Sequence, residues 1–187
     1  MNIAVFCASS RPHDEEIAVA ARALGRRLAL AGHTLVYGGS NLGLMGEVSG
    51  AALEAGGAVV GIIPTLFSEE IILSQPVTTL VRVATMSERK ERMMEACDAF
   101  VALPGGIGTI DEISEVMVMN QLQIVNGKRA LDGSYLIKPM ILLNLEGFYD
   151  PFLTQLRVIK EGGLMRSDGG LRVAESVDEV LALCHTC

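Results

Sequence analysis

Residues 104–112 read "PGGIGTIDE", directly after the apolar run "AFVAL" at 99–103. Gly105, Gly106 and Gly108 leave a turn with almost no side chain, so several backbone N–H groups can aim at one point. Thr109 adds a hydroxyl where the next helix starts, and Glu112 and Glu115 follow on one helical face. Backbone N–H groups at a helix start suit a phosphate, with no metal needed. A carboxylate behind such a phosphate can do acid–base work on the group attached to it. The competing reading is a capping box, with Thr109 as N-cap and Glu112 as its partner. That box accounts for Thr109 and Glu112 but not for three glycines.

Three more turns carry chemistry-bearing residues. "YGGSNLGLMG" at 37–46 is a second glycine-rich turn in which Gly38 and Gly39 allow close backbone approach. It lacks the Lys-Ser/Thr pair of a Walker motif, and its glycines also suit close helix–sheet packing. "CASSRPHDE" at 7–15 has no glycine, which argues against a dinucleotide bound in the usual way. Ser9 and Ser10 there can point hydroxyls into a cleft or satisfy local backbone groups. "TMSERKERM" at 85–93 places Arg89 and Lys90 early in a helix, where they can meet a phosphate or a carboxylate. They can equally belong to a solvated face with Glu88, Glu91 and Glu95.

The elements that must hold these turns alternate along the chain. Strand-like runs stand at 2–7, 33–38, 58–63, 77–84, 99–103 and 139–144. Helical patterns fill 14–31, 44–56, 87–96 (with Ser87 as its cap), 109–125, 150–162 and 176–184. The connection at 65–76 has no clear pattern, and 126–138 is a polar insertion. This alternation predicts an α/β, Rossmann-like, doubly wound parallel sheet with helices on both faces. The 187 residues read as one nucleotide-binding domain, without a linker or internal repeat. Ligands in such a sheet sit at the carboxyl ends of strands, and every turn singled out above follows a strand.

Composition removes several function classes. The net charge of −7 argues against a nucleic-acid partner. No apolar run reaches 18 residues, so no membrane span is expected. "MNIAVFCASS" lacks a basic leader and reads as a first strand, giving a cytoplasmic expectation. Cys7 and Cys97 read as buried thiols. The terminal "CHTC" has neither the extra ligands of a zinc site nor the helix-start position of a redox pair. No metal and no redox cofactor is expected.

Taken together, "FCASS", "YGGSNLGLMG", "TMSERKERM" and "PGGIGTIDE" resemble, in order, the landmarks of the LOG (Lonely guy) family, long labelled as lysine decarboxylases. "ILLNLEGFYDPFL" and "VAESVDEVLALC" extend the resemblance over almost the whole chain. It implies a homodimeric hydrolase that cleaves the N-glycosidic bond of adenine-type nucleoside 5′-monophosphates, such as cytokinin riboside monophosphates and AMP. The products would be the free base and ribose 5-phosphate. Arg89 and Glu112 fall on the family's catalytic positions. Substrate and phosphate contacts fall on Ser9, Gly39, Ser40, Gly43, Met86, Lys90, Gly105, Gly106, Gly108 and Thr109. The chain departs from the family in having Ser87 where His is usual, and in the longer segment around "NGKRALDGSYLI". A decarboxylase would need a pyridoxal phosphate lysine, and no lysine is singled out. The alternative from another class is a non-catalytic nucleotide-binding or carrier protein of the same fold.

Overall fold

The structure is a computed structural model that describes residues 1–67, 77–127, 129 and 135–184. Its described strands are β1 (Asn2–Phe6), β2 (Thr34–Tyr37), β3 (Val59–Pro64), β4 (Thr79–Val83), β5 (Ala99–Ala102), β6 (Met140–Leu143) and β7 (Leu171–Ala174). The helices are α1 (Glu15–Leu30), α2 (Gly43–Glu54), α3 (Met86–Ala96), α4 (Ile107–Val125), α5 (Asp150–Glu161) and α6 (Val177–Cys184). The strands form one parallel sheet in the order β4-β3-β2-β1-β5-β6-β7. The expected α/β, Rossmann-like architecture is therefore present. β7 is an addition: its half-exposed "LRVA" has too weak an apolar pattern to announce an edge strand.

Alternation along the central strands divides the core between two faces. Ile3 and Val5 of β1 and Val101 of β5 pack with Leu24 and Leu28 of α1, Val48 of α2 and Val180 of α6. Ala4, Phe6, Phe100 and Ala102 point the other way, against Met93 of α3, Ile113 and Val116 of α4, and Tyr149. A side chain on Gly25 would strike the Val48 carbonyl, so α1 and α2 pack backbone to backbone there.

The strand order reverses beside β1. The chain goes from β1 outward through β2, β3 and β4, then returns to lay β5 on β1's free edge. Ile3 lies beside Ala99 and Phe6 beside Ala102, so β1 and β5 end level with each other. Their carboxyl ends form the crevice in which ligands of open α/β sheets bind.

Two local expectations change. α3 is capped by Thr85, whose Oγ1 accepts the Glu88 N–H (3.1 Å), and not by Ser87, which is exposed one position inside the helix. α4 starts at Ile107 with Gly106 as N-cap, so Thr109 is its third residue and no Thr109–Glu112 capping box forms. The expected connection at 65–76 is described only as far as Phe67. Residues 128 and 130–134 of the expected insertion, and the last three residues of "CHTC", lie outside the described residues. At the insertion's end, Lys138 Nζ donates to the Met94 carbonyl (2.6 Å), tying it to the last turn of α3. No helix among the described residues is long and apolar enough to cross a membrane.

Candidate active site

Four strand ends and three helices contribute to one cleft of about 320 Å³. After β1 the chain supplies Cys7, Ser9 and Ser10; after β2, Gly38 and Ser40; after β5, Gly106, Gly108 and Thr109. Arg89 comes from α3 and Glu112 from α4. The first two turns are stitched together. Leu44 at the start of α2 donates its N–H to the Ala8 carbonyl (3.1 Å), and the Ser40 hydroxyl accepts the Leu42 N–H (3.1 Å).

The start of α4 is built differently from that of α1. α1 has an Asp14 cap and two acids, Glu15 and Glu16, in its first turn. α4 has a glycine cap, no side-chain cap bond and no acid in its first turn. Its first N–H groups and the positive end of its dipole therefore meet no negative side chain locally. Apart from its immediate chain surroundings, a Cβ on Gly106 or Gly108 would meet no atom of the described residues within 4 Å, so the space over these residues is open.

Arg89 and Glu112 form a buried ion pair, with Nη2 2.5 Å from Oε1. The residues are 6% and 5% exposed. Burial pushes the Glu112 carboxyl up to about 7; Arg89 pulls against this, and Asp111 adds to the rise. An arginine beside a carboxylate favours its ionised form, but here desolvation outweighs that attraction. Glu112 thus sits near the point where it exchanges a proton at neutral pH, the condition suited to a general base. Arg89 Nε is buried and has no hydrogen-bond partner among the described residues. Next to the pair lies the Cys7 thiol, held protonated by burial and by the Glu112 charge.

Of the twelve residues expected at the site, Ser9, Ser40, Met86, Arg89, Gly106, Gly108, Thr109 and Glu112 line the cleft. The other four lie behind it. Gly39 (φ +79°) packs under the wall, where a Cβ would come 2.9 Å from Ile63 Cβ. Gly43 (φ +55°) lies against the Ser9 and Ser10 backbone, and Gly105 against the Thr109 side chain. Lys90 turns away, its ammonium 2.8 Å from Asp111 Oδ2 and 2.5 Å from Glu115 Oε2, and braces α3 against α4. The sequence reading missed the apolar wall of Leu42, Met45, Ile63 and Phe67. These residues look like ordinary core positions in sequence, and only their place beyond β2 and β3 brings them to the ligand side.

The chain has relatives among known proteins. The family described as "Possible lysine decarboxylase" matches residues 45–185. The cytokinin riboside 5′-monophosphate phosphoribohydrolase LOG of Oryza sativa subsp. japonica is 39% identical over 166 residues, which are 89% of this chain and 64% of the rice protein. The phosphoribohydrolase LOG2 of Arabidopsis thaliana is 39% identical over 161 residues, 86% of this chain and 70% of that one. The chain thus spans somewhat less than two thirds of the rice relative's length. Among solved structures, the molybdenum cofactor carrier protein of Chlamydomonas reinhardtii superposes with a TM-score of 0.69 at 26% identity, over 99% of this chain and 96% of that one. The molybdenum cofactor binding protein of Rippkaea orientalis superposes with a TM-score of 0.70 at 23% identity, over 99% and 95%, and shares the fold. The matched segment runs from α2 through α6 and carries Arg89, the β5–α4 turn and Glu112, and on these grounds the chain belongs to the LOG family, whose profile bears the older lysine decarboxylase label.

Proposed function

We propose that the protein is a metal-independent phosphoribohydrolase that converts adenine-type nucleoside 5′-monophosphates and water to free base and ribose 5-phosphate. The observation that carries this reading is the buried Arg89–Glu112 pair beside the open space over Gly106 and Gly108. In it, the 5′-phosphate sits at the start of α4, held by backbone N–H groups and by the Thr109 and Ser9 hydroxyls. This anchor fixes the ribose and turns hydrolysis into a positioned reaction. Cleavage of the C1′–N bond leaves positive charge on the ribose ring. Glu112 faces that charge, orients a water and takes its proton as the water oxygen bonds to C1′. The bond's electrons leave with the base, which picks up a proton. Arg89 holds the carboxylate in place, and Met45, Ile63, Phe67 and Met86 give the flat base an apolar wall.

The test is to incubate the purified protein with AMP and, separately, isopentenyladenosine 5′-monophosphate, and to follow free base by chromatography. Release from at least one is expected, and Glu112→Gln lowers kcat by about 10²–10⁴-fold. Because the reaction needs the ionised carboxylate and burial holds that group at about 7, kcat/KM falls tenfold per pH unit below about 7. A flat profile between pH 5 and 8 contradicts the role given to Glu112.

A carrier reading has one observation in its favour, the 26% identity to a molybdenum cofactor carrier protein. It predicts a bound nucleotide-like ligand that stays intact during long incubation. Both readings include a homodimer. Val118, Leu122 and Val125 of α4 are more than half exposed and line a groove with Leu164, an apolar face suited to a second copy. Sedimentation is expected to give twice the monomer mass, and Val118→Glu with Leu122→Glu to reduce it to one.

A further inference from the structure

We propose that Tyr149, which lies outside the cleft, is a positioning residue that fixes the phosphate-binding turn through the Leu103 carbonyl. This inference rests on the phosphoribohydrolase reading. It starts from where the sheet lets go of the chain. Both pairings of β5 end at Ala102, opposite Phe6 on β1 and Leu142 on β6, so the Leu103 carbonyl lies beyond the last strand pairing. The Tyr149 hydroxyl donates to that carbonyl at 2.6 Å. The Leu103 N–H donates to the Phe6 carbonyl of β1 (3.0 Å). Both backbone groups of Leu103 are thus held. After it come Pro104, which has no N–H, and two glycines. Leu103 is the last fixed point before the turn, and the aim of the N–H groups beyond depends on it.

Tyr149 is itself rigidly placed. It is 1% exposed and is the largest fully buried side chain among the described residues. Its N–H donates to Asn144 Oδ1 (2.7 Å), and Asn144 Nδ2 donates to Asp150 Oδ1 (2.9 Å). Asn144 is anchored in turn, its N–H donating to Ala174 of β7 (2.8 Å). Phe148 and Phe152 meet the Tyr149 ring edge-on at 5.0 and 6.5 Å between centroids. Burial, with the Glu112 charge adding to it, holds the hydroxyl protonated, so it remains a donor. A tyrosine needed only for packing would require the ring. The hydroxyl is what reaches the turn.

Tyr149→Phe removes one oxygen and keeps the ring. Three quantities are measured on wild type and variant: ribose 5-phosphate affinity by calorimetry, KM and kcat for the better nucleotide substrate, and amide exchange at Gly105–Thr109. The variant is expected to bind ribose 5-phosphate about five- to tenfold more weakly, the loss of one buried hydrogen bond. KM rises by a similar factor, kcat changes less, and the amides of the turn exchange faster while those of α1 do not. Asn144→Ala, which frees the backbone of Tyr149 and leaves its hydroxyl, shifts KM in the same direction. Ribose 5-phosphate affinity and KM within twofold of wild type in Tyr149→Phe, with only a lower Tm, overturn the positioning role and leave the hydrolase reading standing. A wild-type protein that neither binds ribose 5-phosphate nor releases base overturns that reading and this inference with it.

Discussion

The two glycine-rich turns look alike in sequence and are glycine-rich for opposite reasons. In 37–46, protein atoms occupy the place of each missing side chain. A Cβ on Gly38 would come within 3.0–3.2 Å of Met45 and Arg89, and one on Gly39 within 2.9 Å of Ile63. Side chains on Gly43 and Gly46 would strike backbone carbonyls of Ser9, Ser10 and Asn41. These glycines let the first two strand ends and α2 close up on each other. In 104–112, only Gly105 is explained in this way, by Thr109, whereas Gly106 and Gly108 face open space. The glycines of the first turn serve packing, although Gly38, Ser40, Leu42 and Met45 also line the cleft, whereas Gly106 and Gly108 leave backbone open to it.

Substitution with alanine separates the two. The largest loss of stability is expected at Gly43→Ala, which collides with backbone and must hold a side chain at φ +55°. Unfolding by denaturant is predicted to cost at least about 2 kcal/mol less than for wild type. Gly108→Ala is expected to do the reverse. It sits in the first turn of α4, where alanine is a better helix former by about 1 kcal/mol, so stability holds or rises slightly. Its methyl group enters the space assigned to the phosphate, and KM for a nucleoside monophosphate rises about tenfold with little loss of fold. Equal destabilisation at the two positions would erase the distinction between the turns.

The sequence made the sheet legible because parallel strands buried on both faces read as continuous apolar runs, as in "NIAVFC" and "AFVAL". It made the α4 turn legible as well, since two glycines before a helix and a third in its first turn have few uses. Roles set by long-range pairing were not legible. Arg89 and Glu112 are 23 residues apart, and their pairing depends on how α3 crosses α4. By itself the segment around Arg89 suits a solvated helix face, and the resemblance singled it out. Lys90, its neighbour, shows the limit: one residue further along α3, the charge points to Asp111 and Glu115 and leaves the cleft. The choice between Thr85 and Ser87 as cap was likewise beyond local pattern. Both are hydroxyl residues, and the end of β4 decides which one meets the Glu88 N–H.

The balance at Glu112 also needed the fold. An arginine beside a carboxylate suggests a permanently ionised acid, yet with both groups almost wholly buried, desolvation prevails and leaves the acid near neutrality. The turn at 37–46 contributes no titrating group to the cleft, so the expected acid limb of activity belongs to Glu112.

Whether the β5–α4 turn and Glu112 together carry out hydrolysis is decided by following isopentenyladenosine 5′-monophosphate and AMP over time with wild type and Glu112→Gln. Free base and ribose 5-phosphate are expected in equal amounts from the wild type, with the variant still binding ribose 5-phosphate and releasing base at least a hundredfold more slowly. Nucleotide recovered intact from the wild type, or release by Glu112→Gln at the wild-type rate, would contradict hydrolysis by this site.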